Sequence, residues 1–222
     1  MPTMRPLLAA ASIAAIGAPS HAAGGHFDVD DATALDVGRC QIEVWATRAP
    51  AASTTLTHAG TGCRAGPVEI GANLERIAAS GDGRTLLGPQ LKWVVDPLVD
   101  KFSVGVAWSA AFDLTNQGRP AQTLVAPLTW WAAEKVWLHV NLGVDRDAEG
   151  TRWRREGVAV DWAASARFNV IAERVKFLGG WTSRIGGRVS VNDSLSVDLS
   201  VARVGPRAER VVVIGLNQEF AR

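Results

Sequence analysis

A strict alternation of apolar and polar residues is the feature that most limits how this chain can fold. Residues 136–145 read Val-Trp-Leu-His-Val-Asn-Leu-Gly-Val-Asp, so every second residue is apolar. Successive side chains of a β-strand point to opposite faces, and this stretch therefore predicts a strand with one apolar and one polar face. One such strand fits a soluble antiparallel sheet as well as a barrel. The pattern returns about every 15 residues to the end of the chain, however, which favours a barrel.

Residues 1–22 have the features of a secretory signal peptide. Arg5 supplies a positive charge, residues 7–16 form a short apolar run, and Ser20-His21-Ala22 places small residues where a signal peptidase cleaves. An apolar run of about ten residues is too short for the roughly 20 that a spanning helix needs. We therefore expect an exported protein. If it spans a membrane, it should do so with β-strands.

The charge balance excludes one class of partner. Without Arg5 the chain keeps 22 of its 23 basic residues against 22 acidic ones. A neutral mature chain lacks the positive field with which proteins attract nucleic acid, so we expect no nucleic-acid partner. No Pro/Gly/Ser-rich linker divides residues 38–222, which indicates a single domain.

Turn-forming residues divide the chain into twelve predicted strands. Gly, Pro, Asn and Asp clusters mark eleven breaks between alternating stretches. An even number of strands is typical of bacterial barrels, and ten remain if residues 53–64 form a loop. The fold class predicted is all-β, a single closed antiparallel transmembrane barrel. Its strands are expected near 38–48, 53–64, 67–78, 84–95, 101–113, 121–132, 135–146, 151–163, 167–178, 181–191, 194–204 and 209–221.

The apolar faces also place aromatic residues at one level. Outward-facing aromatics are expected at the periplasmic ends of six strands, where they would form the girdle that membrane barrels carry at an interface. They are Trp93, Phe102, Trp130, Trp162, Phe168 and Phe220. Phe112 and Trp181 are the clearest aromatics of the opposite rim.

The opposite, polar faces would line the lumen. Charges of both signs collect there, and in a low-dielectric interior such charges should pair. This lining is either an ion-pair network that fills the barrel or a polar constriction that selects small solutes. The predicted lumen residues are Glu43, Glu69, Asn73, Glu75, Lys92, Asp113, His139, Asn141, Asp161, Glu173, Arg184, Arg188, Asp198 and Glu219.

Residues 23–37 precede the first strand and contain four aspartates. They could enter the lumen as an acidic plug against Arg184 and Arg188, or remain a disordered periplasmic tail. We favour the tail, because short N-terminal segments are usually mobile.

Basic residues gather at the extracellular ends of strands eight, nine and eleven. Side chains just above the apolar band could pair with the phosphates of lipopolysaccharide, or could simply be solvated. The predicted headgroup residues are Arg152, Arg154, Arg174, Lys176 and Arg203.

Cys40 and Cys63 are the only cysteines. If the first hairpin is centred between Ala51 and Ala52, the two cysteines lie opposite each other, so an exported chain should join them in a disulfide. They lack the spacing and the neighbouring ligands of a zinc site, and we expect no metal or cofactor. His58 and His139 have no serine two residues later, unlike the His-x-Ser pair of barrel lipases, so we predict no enzyme activity.

Two stretches resemble known outer-membrane proteins. Val212, Ile214, Leu216 and Phe220 resemble the C-terminal signal that the barrel-assembly machinery recognises, although Gln218 interrupts it. Residues 38–45, Gly-Arg-Cys-Gln-Ile-Glu-Val-Trp, together with residues 88–93, resemble the small barrels named for the meta-pathway of phenol degradation. That resemblance implies passage of small organic molecules.

The function expected from these features is a narrow channel or passive uptake protein for small molecules in the bacterial outer membrane. Twelve strands leave more room than a side-chain-filled barrel of eight and less than a porin of sixteen. The alternative is a structural or lipopolysaccharide-binding barrel whose lumen is closed by ion pairs.

Overall fold

The strands between residues 39 and 221 form a closed barrel in the computed structural model. The structure describes residues 26–49, 53–79, 82–99 and 101–222, so the predicted signal peptide lies outside the described residues. All twelve strands are antiparallel to their neighbours. They are β1 (Arg39–Ala49), β2 (Thr54–Ala65), β3 (Val68–Ala79), β4 (Asp82–Val99), β5 (Phe102–Asp113), β6 (Ala121–Ala133), β7 (Val136–Arg146), β8 (Arg152–Ser165), β9 (Phe168–Phe177), β10 (Gly180–Ser190), β11 (Leu195–Val204) and β12 (Glu209–Ala221).

Pairing of the first and last strands closes the sheet. β1 and β12 are in register from Arg39 opposite Ala221 to Arg48 opposite Val212. The backbone amide of Arg222 also donates to the carbonyl of Gly38, at 2.9 Å. Closure leaves no strand edge exposed to lipid, where unpaired backbone groups would cost several kcal/mol each. The end of the barrel that carries both strand termini is the periplasmic end in bacterial barrels.

No helix among the described residues is long and apolar enough to cross a membrane.

The outer surface of the barrel is an apolar belt. Large side chains of the outward faces, such as Leu142 at 59% and Leu199 at 58%, are exposed in the isolated chain. The six predicted girdle aromatics are also exposed, and the rings of Phe102 and Trp130 stack at 5.9 Å between centroids. Such a surface requires an apolar surrounding, and the aromatic level marks its interface with water. The prediction of a twelve-stranded transmembrane barrel is confirmed.

The structure decides the strand count and corrects the end of one predicted strand. Residues 54–65 form β2, paired on both sides, so the ten-stranded alternative is wrong. β4 runs on to Val99 instead of ending before the Asp96-Pro97 turn signal, and its register with β5 shifts between Val95 and Val99. A β-bulge accounts for both observations, because it tolerates proline and the extra residues without ending the strand.

The predicted disulfide is confirmed. Cys40 on β1 and Cys63 on β2 are register partners and are bonded to each other. The bond joins the first hairpin at the periplasmic end, and Cys40 is buried there beside its partner Phe220 on β12.

Replacing both cysteines with serine should lower the free energy of unfolding by about 3 kcal/mol. The chain-entropy model gives this value for a closed loop of this size, which is 23 residues in sequence separation. The measurement is the urea midpoint of the folded band in unheated SDS gels. Reduced wild-type protein is the control and should match the variant; equal midpoints for the variant and oxidised wild-type protein would contradict the stabilising role.

Candidate functional site

The lumen contains a segment of the chain itself. Residues 26–36, here named the plug, lie inside the barrel and contact its inner wall. Val29, Ala32 and Leu35, spaced by three, are 4%, 0% and 1% exposed. The structure therefore differs from the mobile tail that the sequence favoured, because specific lumen contacts order these residues.

One cross-strand row of the inner wall holds most of the plug. Its six residues are successive register partners from β5 to β10, so they follow a single line around the barrel. This line, named the anchoring row, consists of Ser103, Thr129, His139, Ala159, Glu173 and Arg184.

Polar members of the anchoring row bind the main chain of the plug. The hydroxyl of Thr129 accepts from the amide of Ala32 at 2.8 Å, and the hydroxyl of Ser103 donates to the carbonyl of Ala32 at 2.6 Å. Glu173 accepts from the amide of Val29 at 2.9 Å and from that of Asp28. Buried main-chain groups need such partners, and here lumen side chains supply them.

His139 contacts Thr129, which binds the plug directly. Its Nδ1 lies 2.9 Å from the hydroxyl oxygen of Thr129. Because that oxygen accepts from the plug, the hydroxyl proton is available for donation to Nδ1. His139 thus orients a residue of the anchoring row.

Residues of β2, β3 and β7 that do not belong to the anchoring row bind the plug in the same way. Asn141 makes two bonds with residue 30: its Oδ1 accepts from the amide of Asp30 at 2.8 Å, and its Nδ2 donates to the carbonyl at 2.7 Å. Near the periplasmic end, Glu69 accepts from the amide of Leu35, and Arg64 donates to the carbonyl of Leu35 at 2.7 Å. The plug is therefore held at both of its ends and in its middle.

Apolar contacts accompany these bonds. Val29 packs with Ala159 and Val175 in a buried cluster. On β9 the apolar Ile171 and Val175 face inward, while Arg174 faces outward. This local inversion of the barrel pattern is the sequence signal that marks a packed lumen, and sequence reasoning missed it.

Ion pairs neutralise the basic lumen residues. Arg184 contacts Asp28 of the plug at 2.8 Å and Glu173 at 3.3 Å. The other pairs are Lys92 with Asp31 at 3.1 Å, Arg155 with Asp145 at 3.3 Å, and Arg188 with Asp198 at 2.7 Å. Removing one member of a buried pair leaves the other uncompensated, which is strongly destabilising.

A second polar cluster lies on the inner face of β1, β2 and β3. The ring nitrogens of His58 are each 3.2 Å from a carboxylate oxygen, one of Glu43 and one of Glu75. The ring of Trp45 stacks on His58 at 4.5 Å. Beside them, Asn73 donates to Gln90 at 3.0 Å. Sequence reasoning placed both glutamates in the lumen but did not assign His58 as their partner.

The remaining predicted lumen residues lie apart from the plug. Asp161 accepts from Asn169 at 2.7 Å, and Glu219 lies 3.7 Å from Arg39 near the periplasmic end. Asp113 ends β5, and its carboxylate accepts from the amides of residues 115 and 116. Asp113 therefore caps an extracellular turn instead of lining a passage, because a carboxylate before a turn readily binds its amides.

A cavity of ≈130 Å³ remains beside the plug. Phe27 and Asp30 of the plug form one side of it. The wall side includes polar residues of β1, β3, β4, β5 and β6: Gln41, Glu43, Glu69, Gln90, Lys92, Ser109 and Thr123. Within the part of the chain that the structure describes, no group of three or more His, Cys, Asp or Glu residues could hold a metal ion.

The five predicted headgroup residues share the outward face of the extracellular half. Lys176 is partly buried, and the other four are exposed. Arg154 forms an ion pair with Glu156 at 3.2 Å. These residues do not contribute to the lumen.

A closed antiparallel barrel with an apolar outer surface, an aromatic level and a polar lumen is a transmembrane β-barrel of the outer-membrane type. The chain belongs to the family described as uncharacterised conserved protein UCP029691, whose model matches residues 11–220. No curated protein matches the chain in sequence.

Solved porin structures share the fold. The KdgM porin in complex with disordered oligogalacturonate has a TM-score of 0.67 at 9% identity, covering 81% of this chain and 99% of that one. The NanC porin has a TM-score of 0.55 at 10% identity, covering 81% of this chain and 98% of that one. At such identities the likeness concerns the fold alone.

Replacing Asn141 with alanine should loosen the plug. The variant loses two hydrogen bonds to residue 30, each worth about 1 kcal/mol. We expect amide hydrogen exchange of residues 28–32 to accelerate by roughly tenfold or more. The matched control is Asn169→Ala, since Asn169 is also a lumen residue but bonds to Asp161. Equal exchange in both variants would contradict the anchoring role of Asn141.

Proposed function

We propose that this protein is a narrow channel for passive uptake of small polar molecules across the bacterial outer membrane. The observation that carries the proposal is the polar cavity of ≈130 Å³ between the plug and the wall formed by β1 to β6. A twelve-stranded barrel is wider than one filled by its own side chains. The plug occupies part of this width, so only small solutes would pass.

The charges around the cavity favour cations or neutral solutes over anions. Asp30, Glu43 and Glu69 line it, while its one lining cation, Lys92, is already paired with Asp31. Charged rings of this kind select ions in pores. The similar KdgM structure contains an oligogalacturonate, which is an acidic sugar chain. Here Arg155, Arg184 and Arg188 are each paired with carboxylates, so the proposal excludes acidic sugars as the preferred solutes.

The second candidate is a structural barrel with a closed lumen. It is favoured by the plug itself, because residues 26–36 bond to wall residues on strands from β2 to β10 and ion pairs surround them. Neither candidate assigns a catalytic step to the lumen. Passage of small organic molecules, which the resemblance to the phenol meta-pathway barrels implies, is compatible with the channel and stays a prediction.

The same proposal includes a route into the membrane. Val212, Ile214, Leu216 and Phe220 all face outward on β12 and are exposed. Gln218, which interrupts them, donates to the hydroxyl of Ser194 in the turn between β10 and β11. The apolar outward face of β12 would therefore serve as the signal for the barrel-assembly machinery.

Deleting residues 26–36 should enlarge the channel. Intact mature protein in a planar bilayer should give small conductance steps, and the deletion should increase them several-fold because the lumen loses its main obstruction. The control is Asn169→Ala, which should behave like intact protein. If intact protein gives no steps and the deletion does, the closed structural barrel is correct. If neither gives steps, the channel proposal fails.

Neutralising the cavity carboxylates should reduce cation preference. In the variant Glu43→Gln with Glu69→Gln, we expect the permeability ratio of potassium to chloride to fall about fivefold. This estimate assumes about 1 kcal/mol for a unit charge at 4 Å in water-like surroundings. The measurement is the reversal potential in a KCl gradient. Glu219→Gln is the control, because Glu219 lies outside the cavity lining; an equal shift in both would contradict the assigned path.

A further inference from the structure

A row of basic residues crosses the outer surface near the extracellular end. Arg174, Ser183, Arg203 and Arg210 are successive register partners from β9 to β12 and share the outward face. This line is named the headgroup row. All three arginines are exposed.

The neighbouring row toward the membrane is apolar. This second row lies two residues from the headgroup row along each strand, a distance of roughly 7 Å. Its outward-facing register partners are Ala172, Ile185, Val201 and Val212. Ile185 and Val201 are more than half exposed in the isolated chain, as expected of residues that face lipid. The boundary between charge and hydrocarbon therefore falls between these two rows.

Two arginines of the headgroup row face each other across β11 and β12. Arg203 lies directly opposite Arg210, and like charges in this position are destabilising. Among residues 26–49, 53–79, 82–99 and 101–222, no carboxylate lies within ion-pairing distance of either guanidinium. Farther round the same rim, Arg146 lies opposite Arg152. A bound anion between such partners would replace the repulsion with two charge-assisted hydrogen bonds.

A groove on the outer surface joins the charged and apolar rows. It runs between β10, β11 and β12 and includes Ser183, Ile185, Val201, Arg203, Arg210 and Val212. Its membrane side is aliphatic, and its extracellular side carries the two arginines. At the edge of the row, the guanidinium of Arg174 lies 4.9 Å from the ring centre of Trp181, which holds it at the interface level.

We propose that this groove binds lipopolysaccharide through the phosphates of its lipid A. Arg203 and Arg210 would hold one phosphate, with Arg174 beside them, while an acyl chain lies on Ile185, Val201 and Val212. The groove is at the end of the barrel opposite the start of β1 and the end of β12, which in bacterial barrels faces the outer leaflet. Lipopolysaccharide supplies the phosphates of that leaflet, so it is the expected occupant instead of a phospholipid.

The test uses the mature protein, folded in detergent and titrated with purified lipid A. Native mass spectrometry would measure the fraction of protein that retains lipid A. We expect Arg203→Gln with Arg210→Gln to weaken retention by about tenfold or more, because two charge-assisted hydrogen bonds are lost. The matched control is Arg76→Gln, since Arg76 is exposed on β3, away from the groove.

Further measurements test whether the phosphates are recognised and whether the variants are folded. Lipid A stripped of its phosphates should bind wild-type protein as weakly as intact lipid A binds the double variant. Heat-dependent mobility in SDS gels must be the same for all variants, which excludes loss of folding. The proposal is overturned if the double variant retains lipid A like wild-type protein or if Arg76→Gln weakens retention equally. It is also overturned if phosphatidylglycerol competes as well as lipid A, because the groove would then bind any anionic lipid.

Discussion

Pairing of β1 with β12 satisfies the backbone groups that would otherwise lie exposed at the two edges of the sheet. In a membrane each backbone amide and carbonyl must find a partner within the protein, and only a closed sheet provides this for strands. Closure also requires the registers of all twelve strand pairs to be compatible with one another. Register in turn decides which side chains share a level, inside the lumen and on the lipid-facing surface.

The main-chain groups of the plug also need hydrogen-bond partners inside the barrel. Residues 28–35 run through the lumen without joining the sheet, so their main-chain groups cannot be satisfied by strand pairing. Side chains of the wall take that place: Ser103 and Thr129 at residue 32, Asn141 at residue 30 and Glu173 at residues 28 and 29. Their bonds go to main-chain atoms, whereas Arg184 and Lys92 bind aspartate side chains of the plug.

The strand β9 contributes residues both to the lumen and to the outer surface of the barrel. Along β9, Ile171, Glu173 and Val175 face the lumen, while Arg174 and Lys176 face outward. The outer part of this strand would be unfavourable in hydrocarbon, and it lies instead at the level where basic side chains meet lipid headgroups. The alternation of a β-strand thus lets the same ten residues pack against the plug and mark the edge of the membrane.

The periodic pattern of apolar residues is enough to predict the barrel. Alternation depends only on neighbours along the chain, so the twelve strands, the outward aromatics and the facing of Cys40 and Cys63 could be predicted. The end of β4 could not, because a bulge depends on the partner strand. The position of the plug and the opposition of Arg203 and Arg210 could be seen only in the folded structure. The contacts of the plug come from strands distant in sequence, and the opposition of Arg203 and Arg210 depends on the register that the β11–β12 hairpin adopts.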